Sequence, residues 1–303
     1  IYTWSYPITS AKQRCQKRIT PLLSAEGSIQ IEEVNGQWNI KTPAGIVLRI
    51  RKNDGTIQGV STPEGNISLT NGPRLVNSSC ALKKVTLSAG QTAGNRLEQK
   101  DSTWIDCLFE SDSVVYEVKW TIYASGLTRL DYRYHFRKGE QFPLLGVTFD
   151  YPEEKVKGAR LIGKGPYRVW KNRKRGVTFS VWDKNYNRAV TGERWEYPEF
   201  KGFYDGFSAL WLRSGEPSIK VYTPTEGLYL HLFTPDKPTK FHKGLTVDAV
   251  FPEGNLSFLH GISPISSRVN GTTDKLGPQS APNFYQAKRN SAGLQGTLYF
   301  NVN

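Results

Sequence analysis

Alternation with a period of two runs through most of the chain and is cleanest between Trp104 and Arg137. In VVYEVKWTIY, Val114, Tyr116, Val118, Trp120 and Ile122 share one face. Val115, Glu117, Lys119, Thr121 and Tyr123 share the other. Ala124-Ser125-Gly126 then turns the chain. In LTRLDYRYHF, Leu130, Tyr132, Tyr134 and Phe136 point inward, while Arg129, Asp131, Arg133 and His135 point outward. Successive side chains of a strand lie on opposite faces, so this pattern predicts a half-buried antiparallel hairpin. From Gly27 onward SIQIEEV, QWNIKTP and GIVLRIRKNDG repeat the pattern, with Asn53-Asp54-Gly55 as a hairpin turn signal. GFSALWLRS, SIKVYTP, LYLHLFTP, GLTVDAVFPEG and LQGTLYFNV continue it to the end. No segment shows sustained helical periodicity, and no internal repeat is found. Short strands separated by turn residues predict an all-β fold, a large sandwich. Residues 1–26 read as a linker or the end of a preceding domain, and residues 27–303 as one domain.

One stretch breaks the pattern. Residues 161–202 thread Tyr167, Trp170, Trp182, Tyr186, Trp195 and Tyr197 through glycine, proline, arginine and asparagine. Gly163 and Gly165 permit backbone angles that other residues resist, and Pro166 fixes the chain after them. The stretch therefore reads as a strand, a glycine-proline loop and a hairpin. Its flat aromatic faces and planar hydrogen-bonding groups suit the apolar faces and hydroxyl rim of a sugar ring. The alternative is a turn whose Trp and Arg pack on the scaffold, and tryptophan is mostly buried in any case.

Composition narrows the partners. The 303 residues carry 40 Lys and Arg against 27 Asp and Glu, a formal charge of +13. Nucleic acid is one class that such a balance suggests. Here the basic residues are scattered and the denser clusters, at 12–18 and 171–175, are short, so nucleic acid is not expected. An acidic polysaccharide, an acidic neighbouring domain or a plain solvated surface fits as well. No apolar run reaches the roughly 18 residues of a membrane span. The absence of Met and the start at Ile1 read as a processed chain or an excised fragment. Cys15, Cys80 and Cys107 have no metal-ligand spacing; they form either one disulfide, Cys80–Cys107, or remain thiols, and thiols are favoured. Sequons at Asn66, Asn77, Asn255 and Asn270 matter only in a eukaryotic secretory route.

The common catalytic signatures are missing. There is no G-x-S-x-G, P-loop, H-E-x-x-H or paired C-x-x-C, and no metal or cofactor is implied. His135, His231, His242 and His260 lie far apart, and His231, alternating within LYLHLF, is expected inside a sheet. Glu193, Glu196, Glu199 and Asp205 are the acidic residues nearest the aromatic stretch. Arg188 and Arg194 could hold them as surface ion pairs, each worth about 0–1 kcal/mol.

The run Gly163-Lys164-Gly165-Pro166-Tyr167-Arg168-Val169-Trp170-Lys171-Asn172-Arg173 resembles the Gly-x-Gly-Pro…Asp-Arg signature of a known family. It is that of the C-terminal "small-chain" domain of β-galactosidase-type glycoside hydrolases of family 2. ISLTNGPRLV, YPEFKGFYDGFSALWL, LHLFTP, SFLHGIS, LGPQS and GTLYFNV resemble other segments of that domain in the same order. Arg168, Trp170 and Asn172 depart from its usual residues. The resemblance implies a large antiparallel β-supersandwich of galactose-mutarotase-like type, secreted or periplasmic. It also implies a preceding (β/α)-barrel that carries the catalytic carboxylates, leaving none in this chain. On that basis Trp170, Arg173, Trp195, Tyr197 and Glu199 form the expected carbohydrate-binding surface, with Gln279 on the loop 276–285 facing the barrel. A second expectation, from another class, is a complete polysaccharide lyase or sugar epimerase on the same fold. It would use His135 as base and Arg133 to neutralise charge, and the positive charge would suit a polyuronate.

Overall fold

The computed structural model describes residues 6–88, 91–93, 96–191, 196–237, 249–265, 277–287 and 292–302, with side chains left undescribed over 89–100. Trp195, Glu193, Arg194, His242 and the sequon at Asn270 lie outside the described residues, as does the first residue of the 276–285 loop. The all-β fold expected from the sequence is the one observed, and its named strands pair antiparallel throughout. A first group sets Arg96–Lys100, Ser28–Val34, Gln37–Lys41, Val47–Arg51 and Ile57–Thr62 side by side. A larger group runs Ala81–Leu87, Ser102–Glu110, Val114–Tyr123, Thr128–Phe136, Leu294–Asn301, Ile219–Tyr222 and Gly202–Ser214. From Gly202–Ser214 the pairing continues through Tyr229–Leu232, Leu256–Gly261 and Leu145–Asp150 to Thr70–Leu75. A single strand pairing, Ile57 opposite Gly72, then joins the two groups into one curled sheet.

The hairpin alternation is kept residue for residue. Strands Val114–Tyr123 and Thr128–Phe136 pair from Val114–Phe136 to Ile122–Thr128. Their inward residues, among them Tyr116, Trp120, Leu130 and Tyr134, are at most 1% exposed. They pack with Ile29, Ile40, Leu48 and Ile50 of the first group in one continuous core. Burial of each such side chain contributes about 1.5–3 kcal/mol before ordering costs are subtracted.

The amino-terminal stretch departs from expectation. Ala11–Ile19 is an α-helix, opened by a capping box in which Ser10 accepts from the Gln13 N–H and the Gln13 side chain accepts from the Ser10 N–H. Ala11, Cys15 and Ile19, four residues apart, form its buried stripe. Cys15 and Ile19 pack with Ile162, Ala209, Tyr222 and Tyr299 on the outer face of the large sheet. Residues 11–19 are thus docked on the fold rather than strung out ahead of it.

Cys15, Cys80 and Cys107 are all free thiols, as favoured from the sequence. Burial pushes Cys15 and Cys80 up to about 11 and Cys107 to about 12, so they rest as neutral thiols. His231 is fully buried in its strand, and the same cause lowers its imidazole to about 3.

Candidate functional site

The glycine-proline stretch is a bracing element. Strand Val156–Val169 pairs with Gly202–Ser214, and its register jumps between Lys164 and Val169, so residues 165–168 bulge. Gly165 does not take a positive φ. It is required because a Cβ there would come within 2.7 Å of the Trp182 ring, whose indole N–H donates to Gly163 O at 3.2 Å.

Trp170 does not offer its face to solvent. It is 6% exposed, with its ring edge-on to Phe203 and Phe251 at 5.6 and 5.5 Å. The stacking role expected for it is corrected on that ground, because its faces are spent on neighbouring side chains. Asn172 and Ile265 exchange two hydrogen bonds, Nδ2 to Ile265 O at 2.9 Å and Ile265 N to Oδ1 at 3.0 Å. Lys171 Nζ donates to Ala281 O and Pro282 O at 2.8 and 3.1 Å. These side chains fasten two later loops.

Glu199 is likewise corrected as a surface group. It is 6% exposed, and its carboxylate faces Arg168 Nε at 3.8 Å, with both side chains buried. Arg168 Nη2 also donates to Val190 O at 2.6 Å. Lys184, 2% exposed, sends Nζ to Pro166 O at 2.7 Å and lies over the Tyr204 ring at 5.2 Å. Burial lowers the Lys184 ammonium to about 8, against the opposing pull of Glu199. Below that value both folded and unfolded chains hold the proton. Between about 8 and the unfolded value of about 10.4 only the unfolded chain does, so stability rises with pH across that window. Urea unfolding at steps from pH 7 to 10 should show a rise on the order of 2 kcal/mol relative to Lys184→Met. Parallel curves for the two proteins would refute it.

Of the other expected residues, Arg173 and Gln279 are exposed. Tyr197 is 53% exposed and tilts against Tyr167 with ring centroids 5.1 Å apart. Trp195 is undescribed. The structure therefore does not gather the six into one open surface.

A broad groove of about 990 Å³ lies elsewhere, across the polar face of the large sheet. Its floor is made of cross-strand rows. Thr86, Asp106, Lys119, Asp131 and Thr297 stand in one row; Lys84, Leu108, Glu117, Arg133 and Gln295 stand in the next. Beside them runs Trp104, Thr121, Arg129 and Tyr299. Arg129 pairs with Asp131 through one hydrogen bond, Nη2 to Oδ1 at 2.8 Å, with Nε at an ion-pair distance of 2.7 Å from Oδ2. Thr297 Oγ1 donates to the same carboxylate at 2.6 Å. Arg133 Nε meets Glu117 Oε2 at 2.5 Å, and Lys119 Nζ lies 3.8 Å from Asp106. Lys119 also sits 4.7 Å above the Trp104 ring. The sequence pattern assigned the hairpin residues to this outward face but gave no sign of a groove, which depends on the curl of the sheet.

Past the groove on the same face, Tyr285 Oη lies 3.0 Å from His135 Nδ1. No group of three or more His, Cys, Asp or Glu able to hold a metal occurs among the described residues.

No protein-family model matches the chain, and no curated protein matches it. Solved structures do match. One is a protein of Escherichia coli K12 provisionally described as an aldose 1-epimerase, with 12% identity and a TM-score of 0.37. The match covers 91% of this chain and 99% of that one. A likeness at this level leaves activity open, and the antiparallel fold rests on the strand pairing itself.

Proposed function

We propose that this chain binds carbohydrate along the polar face of its large sheet. We further propose that it is a galactose-mutarotase-like module of the kind found C-terminal in β-galactosidase-type glycoside hydrolases of family 2. The groove floor is the observation that supports the first part. Its ion pairs are 30–53% exposed, so each contributes only about 0–1 kcal/mol to stability. The fold does not need them. What they provide is a fixed array of donors and acceptors, with the partly exposed Trp104 ring alongside, which matches hydroxyls around a pyranose. The second part draws on the ordered segments that resemble the family 2 domain. On that reading the protein is secreted or periplasmic, a preceding (β/α)-barrel breaks the glycosidic bond, and this module binds or shapes the substrate without cofactor or metal.

Titration calorimetry against a broad panel of oligosaccharides tests the binding reading. Binding is expected, and Arg129→Ala should weaken it about tenfold or more, since a charged donor to the sugar hydroxyls is lost. Silence across the panel would reject carbohydrate binding and leave a structural module.

A second reading, a lyase or epimerase complete in this chain, draws on the Tyr285–His135 hydrogen bond two positions along the strand from Arg133. Ultraviolet-absorbing unsaturated product from a uronate polymer would favour it over the first.

A further inference from the structure

We infer that the groove selects neutral saccharides and disfavours polyanionic ones, despite the strong positive charge of the whole chain. This inference rests on the reading of the groove as a saccharide site. The chain carries +13, yet the groove lining holds four cations, Lys84, Lys119, Arg129 and Arg133, against the three carboxylates Asp106, Glu117 and Asp131. Apart from Lys84, the lining balances three against three, and it does so in pairs. Each carboxylate is set against a cation: Asp131 takes Arg129 in an ion pair with one hydrogen bond, Glu117 takes Arg133, and Asp106 takes Lys119. Cross-strand register places two of these pairs directly opposite each other, Glu117 with Arg133 and Asp106 with Lys119. In the third, Thr297 donates to the same Asp131 oxygen as Arg129.

A cation already neutralised by a resident carboxylate gains little from a uronate or sulfate group. The incoming anion would also meet the resident carboxylates at close range, where like charges repel. A hydroxyl makes no such demand. It can donate to a free lone pair of Asp131 or Glu117 and accept from a remaining guanidinium N–H, so the paired array recognises it without being broken. The chain's excess of positive charge lies on other surfaces, including the exposed side chains of Arg173 and Arg175 and those of Lys12 and Lys17 on the helix.

The test compares neutral hexasaccharides of glucose, galactose and xylose with polygalacturonate and a sulfated glycan, by calorimetry on the intact chain. Salt is varied from about 20 to 500 mM, a range over which the screening length falls from roughly 20 Å to a few ångströms. The wild type should bind a neutral sugar with affinity that changes less than about threefold with salt, because no net charge is neutralised. It should bind neither polyanion at low salt through this groove. Glu117→Gln, Asp131→Asn and Asp106→Asn each free one cation, and each should raise polygalacturonate affinity about tenfold at low salt, an increase lost at high salt. Near-ultraviolet circular dichroism confirms that each variant is folded, and any one folded variant suffices. Tighter wild-type binding of a polyanion than of every neutral sugar would overturn the inference. So would folded variants that gain nothing. A wild type that binds no sugar, with variants that do gain polyanion binding, would reject the saccharide function while upholding the account of the groove's charge.

Discussion

Glu199→Gln is expected to destabilise the protein by about 3–5 kcal/mol, read as a lower urea midpoint with an unchanged slope. Glu199 is the carboxylate facing two buried cations, Arg168 at 3.8 Å and the more distant Lys184, and all three side chains are nearly inaccessible to water. Burial already pulls Arg168 and Lys184 down. Neutralising Glu199 leaves two like charges in a low-dielectric site with no counter-charge, which costs far more than the pair itself contributes. The companion Arg168→Met, Lys184→Met, Glu199→Leu should recover most of the loss, because apolar groups of similar volume need no solvation. A loss below about 1 kcal/mol would mean that water reaches the cluster and screens it.

The second large effect is expected from Trp120→Ala, a loss of about 3–5 kcal/mol. Trp120 is 1% exposed, its indole N–H points to Gly55 O at 3.4 Å, and its ring lies 6.2 Å from Phe300. Gly55 belongs to the turn before Ile57–Thr62, and Phe300 to the strand Leu294–Asn301, so one side chain joins both strand groups. It also lines a small internal void with Ile46, Leu48 and Phe300. Removing the indole would enlarge that void between the two strand groups, and truncation costs most where the walls relax least. Thermal unfolding within a degree or two of wild type would show that the core collapses instead.

Both residues illustrate what could be read in the chain. Trp120 was placed inward by strict alternation, because a sheet wetted on one face imposes a period of two on the sequence. The same rule put Glu117, Lys119, Arg129, Asp131 and Arg133 on the face that floors the groove. Glu199 resisted such reading. Its surroundings in YPEF are aromatic and acidic, like a surface loop, and the cation that meets it lies on a bulge 31 positions away in the sequence. Trp170 misled for a related reason. Glycine, arginine and lysine around it suggested an exposed turn, whereas that turn is folded back and pinned by Asn172 and Lys171 to segments near 265 and 281. The helix Ala11–Ile19 was legible only in its Ser10–Gln13 cap and its four-residue spacing of Ala11, Cys15 and Ile19. Nine mostly polar residues are too few for a periodic signal to stand out.

The strand Leu294–Asn301 lies between Thr128–Phe136 and Ile219–Tyr222. A ribosome must therefore deliver residue 301 before the wall of the molecule can be sealed. Until then the hairpin made from residues 114–136 waits with one flank bare, a template for strands of other nascent chains. Chaperone capture of partly synthesised chains, ending once this strand has emerged, is the cellular behaviour that such an order of assembly would produce.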